Sequence, residues 1–133
     1  MIVLDTHIWI WWVQGDRQLL SRKHEEEIER NKATGLGLSA ISCLEVARLA
    51  EGGRISLPCD SSEWITEALG YPGVILLPLS PQISVASVRL PGKFHKDPAD
   101  RIIVATARHY NCPLVTVDRN ILQYEHVTTI APS

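Results

Sequence analysis

Four carboxylates sit where a shared site could form: Asp5 after MIVL, Glu45 in SCLEVARL, Asp100 in DPAD and Asp118 after PLVTV. Each has a local explanation taken alone. Glu45 completes a capping box with Ser42, and Asp100 complements the positive end of a helix dipole. Asp118 starts a turn with Arg119 and Asn120. Asp5 is harder to dismiss, because an acid ending a buried apolar strand faces a desolvation cost unless something compensates it. Gathered together, four such groups would repel one another and raise their pKa values. A divalent cation resolves that conflict, and Mg²⁺ or Mn²⁺ prefers oxygen ligands with several retained waters. A site of that kind serves phosphoryl chemistry, because it activates water and screens the charge of a phosphate.

The elements that must position these acids follow from pattern. Met1 to Leu4 is short, apolar and β-branched, as a buried parallel strand is. The spacing of Trp9, Trp12 and Val13 predicts a helix over 7–13 with that stripe in the core. SRKHEEEIERNKA, residues 21–33, reads as a solvated surface helix. GLGLSA (35–40) reads as a second strand, running into a helix opened by Ser42 and closed by Gly52 and Gly53. DSSE at Asp60 to Glu63 opens another helix, ending at Gly70. Val74 to Leu77 is a strand and Gln82 to Leu90 a short helix. Asp97 caps a helix with Pro98 at its first position, carrying Ile102, Ile103, Thr106 and Tyr110 as a core stripe and ending at Asn111. PLVTV and Val127 to Ile130 are the last strands. Strands alternating with helices predict an α/β layer fold with a mainly parallel central sheet. In such sheets ligands bind beyond the carboxyl ends of the strands, where the four acids would meet.

Composition limits the functional classes. The chain of 133 residues fits a single domain over 1–133, with 45% hydrophobic and 21% charged residues as in globular proteins. The net charge of −2 excludes a protein that lives by wrapping nucleic-acid backbone, so a polyanion would need a local basic patch, a metal or a partner chain. Cys43, Cys59 and Cys112 are odd in number with no CxxC pair, as for reduced thiols in the cytoplasm. Asp5 interrupts the opening apolar run and no stretch reaches the ~20 residues of a membrane span, so neither export nor membrane insertion is expected.

MIVLDTH, SCLEVARL, DPADRIIVATA and LVTVDRNI, in that order over essentially the whole chain, resemble PIN-domain ribonucleases, especially the toxin half of bacterial VapBC-type toxin–antitoxin pairs. The resemblance implies a three-layer PIN-like fold. It implies Asp5, Glu45, Asp100 and Asp118 as catalytic, metal-holding acids, with Thr6 and Thr116 supporting them. It also implies Mg²⁺- or Mn²⁺-dependent cleavage of RNA to a 5′-phosphate and a 3′-hydroxyl, a homodimer and a cognate antitoxin. Asp97 makes the third block doubly acidic. Asp100 is the expected ligand because it directly precedes RIIVATA, which leaves Asp97 as cap or support. His7 stands where many relatives carry Asn or Ser.

RLPGKFHKDPADR collects Arg89, Lys93, His95, Lys96 and Arg101, with Lys93, Lys96 and Arg101 as candidate RNA contacts and an ordinary solvated loop as the alternative. Three of the four tryptophans, Trp9, Trp11 and Trp12, share one apolar segment, so packing or a subunit interface is expected of them rather than base stacking. Three non-nuclease readings compete. A receiver-like metal-binding module would want an adjacent acid pair on an early strand and a later strand-end Lys, which the chain does not show. A degenerate PIN scaffold would lack some of the four acids. A dehalogenase-type phosphatase would want Asp where His7 stands.

Overall fold

The computed structural model describes residues Met1 to Ser133. Five strands form one sheet in the order β3-β2-β1-β4-β5, and every neighbouring pair is parallel. The strands are β1 (Ile2–Leu4), β2 (Leu36–Ser39), β3 (Val74–Leu77), β4 (Leu114–Val115) and β5 (Thr129–Ile130). Parallel neighbours need crossovers, and helices supply them. α1 (Thr6–Gln14) and α2 (Arg22–Asn31) join β1 to β2, and α3 (Ala40–Glu51) and α4 (Ser61–Leu69) join β2 to β3. α5 (Pro81–Val88) and α6 (Pro98–Tyr110) lead to β4, and α7 (Arg119–Leu122) precedes β5.

Strand alternation builds the three layers. Ile2, Leu4, Leu36, Leu38 and Val115 pack on one face with Ile8, Trp9 and Trp64. Val3 and Leu114 point to the other, into a cluster with Ile83, Ile103, Val104 and Ile121. Trp9 is fully buried and meets Trp64 edge-on at 5.1 Å between centroids. Trp12 meets Tyr71 at 5.5 Å. Trp11 and Trp12 are partly buried against the same cluster, so the aromatic run packs inward.

Several boundaries differ from the sequence expectation, each for a local reason. α3 starts at Ala40, because Ser39 and not Ser42 is its cap: Ser39 Oγ accepts from the Ile41 amide at 3.3 Å. The strand before it therefore ends at Ser39. β4 stops at Val115, and Asp118 caps α7 instead of ending a strand, accepting from the Ile121 amide at 3.1 Å. α2 is not wholly solvated, because His24 and Ile28 are fully buried. α1 buries Ile8 and Ile10 as deeply as Trp9, so its core face is broader than one stripe. Tyr110, expected in the core, is 37% exposed at the end of α6. Pro98 and the Asp97 cap stand at the start of α6 as expected, and Asn111 closes it in the left-handed conformation at φ 53°. Gly73 has φ +90°, and a Cβ there would lie 2.7 Å from the Lys32 carbonyl oxygen, so only glycine fits where α2 passes the entry to β3.

Candidate metal centre at the carboxyl edge of the sheet

Strand order turns at β1, which lies between β2 and β4. That turning point is where open parallel sheets leave a crevice beyond their strand ends. Asp5 directly follows β1 and is buried there. Thr6 donates its amide to Asp5 Oδ1 at 2.9 Å, and Thr116 donates its hydroxyl to Asp5 Oδ2 at 2.6 Å. Both carboxylate oxygens are thereby oriented from neighbouring segments. Thr116 Oγ1 also accepts from the Asp118 amide at 3.0 Å, which ties the segment after β4 to the end of β1.

Glu45 arrives from the second turn of α3, where its Oε1 accepts a hydrogen bond from Thr6 Oγ1. Ser42, one turn earlier on the same helix face, pairs its hydroxyl with Thr6 Oγ1 at 2.8 Å. The Ser42–Glu45 spacing thus anchors Thr6 rather than capping a helix. Asp100 sits in the first turn of α6, whose N-cap Asp97 accepts from the Asp100 amide at 3.3 Å. Asp97 is exposed and Asp100 half-buried.

The charges show how closely the acids converge. Burial raises the Asp5 carboxyl above its usual range, with the hydrogen bonds from Thr116 and Thr6 opposing it and the Asp118 charge adding to it. Burial likewise raises Glu45, and the charges of Asp5 and Asp97 push it further while Thr6 lowers it. Asp100 is pushed up to about 8 by burial and by the charges of Asp5, Asp97 and Asp118. Such a cluster is unfavourable with every member ionised, and a divalent cation removes the conflict.

The structure adds a group that the sequence placed with the basic loop. His95, Asp100 and Asp118 each bring one ligand-type atom within 4.8 Å of the others. His95 Nε2 lies 3.0 Å from Asp100 Oδ2, yet it is buried and makes no hydrogen bond. Its signal was the spacing in H-K-D-P-A-D, which sets His95 five residues before Asp100, across a helix cap. The donor set of carboxylates and one imidazole, with an orphaned buried nitrogen, fits a divalent metal.

The remaining candidates separate. Lys93 and Lys96 are exposed. Lys93 lines a cavity of about 340 Å³ with His95, Asn120, Gln123 and Glu125, whereas Lys96 lies beside Pro98 and Ile102. Arg101, expected among the RNA contacts, instead gives Nε to the Ser87 carbonyl at 2.8 Å and Nη1 to the Phe94 and His95 carbonyls at 3.0 and 3.2 Å. Those bonds commit the guanidinium to holding the loop. His7 is exposed two residues after Asp5, and its ring lies 5.8 Å from that of Trp11.

Comparison with known proteins adds to this geometry. The family model of the PIN domain matches residues 2–127. The chain is similar to Ribonuclease VapC22 of Mycobacterium tuberculosis, 36% identical over 125 residues that span 94% of this chain and 92% of that protein. Among solved structures, a DNA-bound VapBC from Salmonella typhimurium aligns over all of both chains with a TM-score of 0.72 at 16% identity. A toxin–antitoxin complex from Klebsiella pneumoniae aligns over 100% of this chain and 98% of that one, with a TM-score of 0.69 at 20% identity. At such identities these two establish likeness of fold.

Proposed function

The chain belongs to the PIN-domain family, and from that premise we propose that it is a divalent-metal-dependent endoribonuclease, the toxin of a toxin–antitoxin pair. The observation that carries the reading is the meeting of Asp5, Glu45, Asp100 and Asp118, from four separate segments, at the turning point of the sheet. The similarity to a protein named as a ribonuclease supports the RNA substrate. Likeness of fold to toxin–antitoxin complexes supports an antitoxin partner. A degenerate scaffold would have lost acids from this set, and here all four are present.

In this reading Asp5, Glu45, Asp100 and Asp118 would hold Mg²⁺ or Mn²⁺. The ion, when bound, supplies an activated water and neutralises charge on the scissile phosphodiester. Thr116 and Thr6 fix both oxygens of Asp5 before substrate arrives, and Thr6 also fixes Glu45. Burial and the neighbouring acids push Asp100 up to about 8, so its proton would have to leave before the carboxylate could hold an ion. Lys93 and Lys96 draw the RNA backbone toward an otherwise acidic crevice. Both are exposed in the loop that carries His95, which supports that role.

In this reading the chain is one domain that works in the cytoplasm, as the free thiols of Cys43, Cys59 and Cys112 support; no helix is long and apolar enough to cross a membrane. A homodimer is supported by the apolar side chains left exposed on edge strand β3 and on α5: Ile75, Leu76, Val85 and Val88. The deciding experiment incubates the protein with single-stranded and structured RNAs in Mg²⁺, in Mn²⁺ and in excess EDTA. Ion-dependent cleavage that leaves 5′-phosphates is the expected result. Cleavage undiminished in EDTA, or none with any RNA and either ion, overturns the reading.

A further inference from the structure

The four-carboxylate site leaves one side chain without a role. His95 lies in the turn before α6, and its Nε2 is buried without a hydrogen-bond partner. Asp100 Oδ2 is 3.0 Å away, close enough for a strong bond but not aligned for one. A ring placed to orient Asp100 would point an N–H along that line. Here one ring nitrogen of His95 and one carboxylate oxygen each from Asp100 and Asp118 lie within 4.8 Å of one another. Ligands of one octahedral ion, each about 2.1 Å from it, stand at most about 4.2 Å apart. The three atoms need little adjustment to share an ion.

The ring is also held in place from behind. Arg101, the residue after Asp100, bonds the carbonyls of Phe94 and His95 with one nitrogen and that of Ser87 with another. The Phe94 ring packs edge-on against His95 at 4.5 Å between centroids. Helix α6 therefore carries Asp100 and, through Arg101, clamps the turn that carries His95. A rim histidine meant for solvent or for a passing phosphate would have no need of this support.

We propose that His95 is a nitrogen ligand of the ion held by Asp100 and Asp118, making the centre a mixed nitrogen–oxygen site that selects Mn²⁺ over Mg²⁺. The inference rests on the metal site of the preceding section and adds to it the ligand that decides which ion is kept. Mg²⁺ is a hard ion that takes oxygen and keeps its waters, and it gains little from imidazole. First-row transition ions accept imidazole readily, so one nitrogen in an oxygen set discriminates between the two.

The test uses the metal-free full chain and reads binding, not activity. Wild type, His95→Ala and His95→Gln are titrated calorimetrically with Mn²⁺ and separately with Mg²⁺. The Mn²⁺-loaded proteins are then examined by electron spin-echo spectroscopy for coupling to ¹⁴N. Loss of the imidazole is expected to weaken Mn²⁺ about tenfold or more, the scale of a lost metal-site partner, and to leave Mg²⁺ nearly unchanged. The ¹⁴N coupling should be present in wild type, survive His7→Ala and vanish in both His95 variants. Mn²⁺-loaded wild type without ¹⁴N coupling overturns the proposal, as does equal weakening of both ions, which would mark His95 as a positioning group for Asp100. Wild type that binds neither ion overturns the metal-site reading itself, whereas binding that is lost in Asp118→Asn but carries no ¹⁴N coupling overturns only the role of His95. If His95→Ala does not fold, the spectrum of wild type with the His7→Ala control still decides.

Discussion

Thr116 Oγ1 donates to Asp5 Oδ2 at 2.6 Å and accepts from the Asp118 amide at 3.0 Å, so one hydroxyl joins two acids that lie at opposite ends of the sequence. Replacing it with valine keeps the shape and removes both bonds. Thr116→Val should cost about 1–3 kcal/mol through the unsatisfied buried carboxyl, a loss measurable by denaturant unfolding. It should also weaken divalent-ion binding, and Thr116→Ser should recover both properties. Unaltered ion affinity in the valine variant would remove Thr116 from the support of the site.

Asp5 and Asp118 are expected to be indispensable to cleavage and dispensable to folding. Asp5→Asn or Asp118→Asn should abolish ion-dependent RNA cleavage while the circular dichroism spectrum stays native. Because burial disfavours the charged form of Asp5, Asp5→Asn should match or exceed wild type in melting temperature in EDTA. Retained cleavage in either variant would break the assignment.

The acid cluster makes the metal-free protein sensitive to alkali. Asp100 is raised from 3.8 to about 8 by burial first and by neighbouring acids second. A carboxyl whose folded pKa lies above its unfolded value contributes stability below the unfolded value, and that contribution is lost as pH climbs through the folded one. In EDTA, wild type should therefore lose stability relative to Asp100→Asn between about pH 4 and pH 8. Even one unit of the shift is worth about 1.4 kcal/mol, or about 3–5 °C in a chain of this size. Saturating Mn²⁺ should remove the difference in slope, because the ion replaces the proton. Parallel melting curves for the two proteins across that range would contradict this account.

Much of this site could be read from residue order, because strand ends and helix caps announce themselves locally. Asp5 after an apolar β-branched run and Asp97-Pro98 at the head of α6 needed no tertiary knowledge. Roles that depend on partners distant in sequence are not legible in residue order. Ser42 and Glu45 have the spacing of a capping box, yet their shared partner is Thr6, 36 and 39 residues away. Arg101 reads as a free cation until the carbonyls of Ser87, Phe94 and His95 close on it. His95 looked like one member of a basic run, and only the fold turns its ring toward Asp100 and Asp118. β4 is shorter than the pattern PLVTV predicts, because β-branched Thr116 and Val117 lie past the last paired residue, Val115.

Lys93 and Lys96 flank the clamped turn and are both exposed. If they steer RNA, changing both to alanine should weaken binding of a non-cleaved RNA analogue at low salt. The slope of log affinity against log salt should fall by about 0.7 per lost phosphate contact on a single strand. Affinity and slope both unchanged would leave these lysines as ordinary solvated side chains.

His24 gives the fold a sensitivity to acid that runs the other way. Its ring is fully buried on α2, and Nε2 lies 2.8 Å from the Ile130 carbonyl of β5 while Nδ1 has no partner. A carbonyl can only accept, so Nε2 carries the proton and the neutral ring satisfies the contact. Burial lowers the pKa of His24 below 6.5, outweighing the backbone groups of Ile130 and Ala131, which favour the charged ring. The unfolded chain then takes up the proton more readily than the folded one, so stability falls as pH drops below about 6.5. His24→Gln should lose part of the tie to Ile130 at pH 7.5 and be destabilised there. It should then lose less than wild type on going to pH 5, so the two stability curves converge toward acid. Melting followed at both pH values in the presence of Mn²⁺, which suppresses the opposing effect of Asp100, isolates the histidine. Curves that stay the same distance apart would show that His24 does not titrate with unfolding.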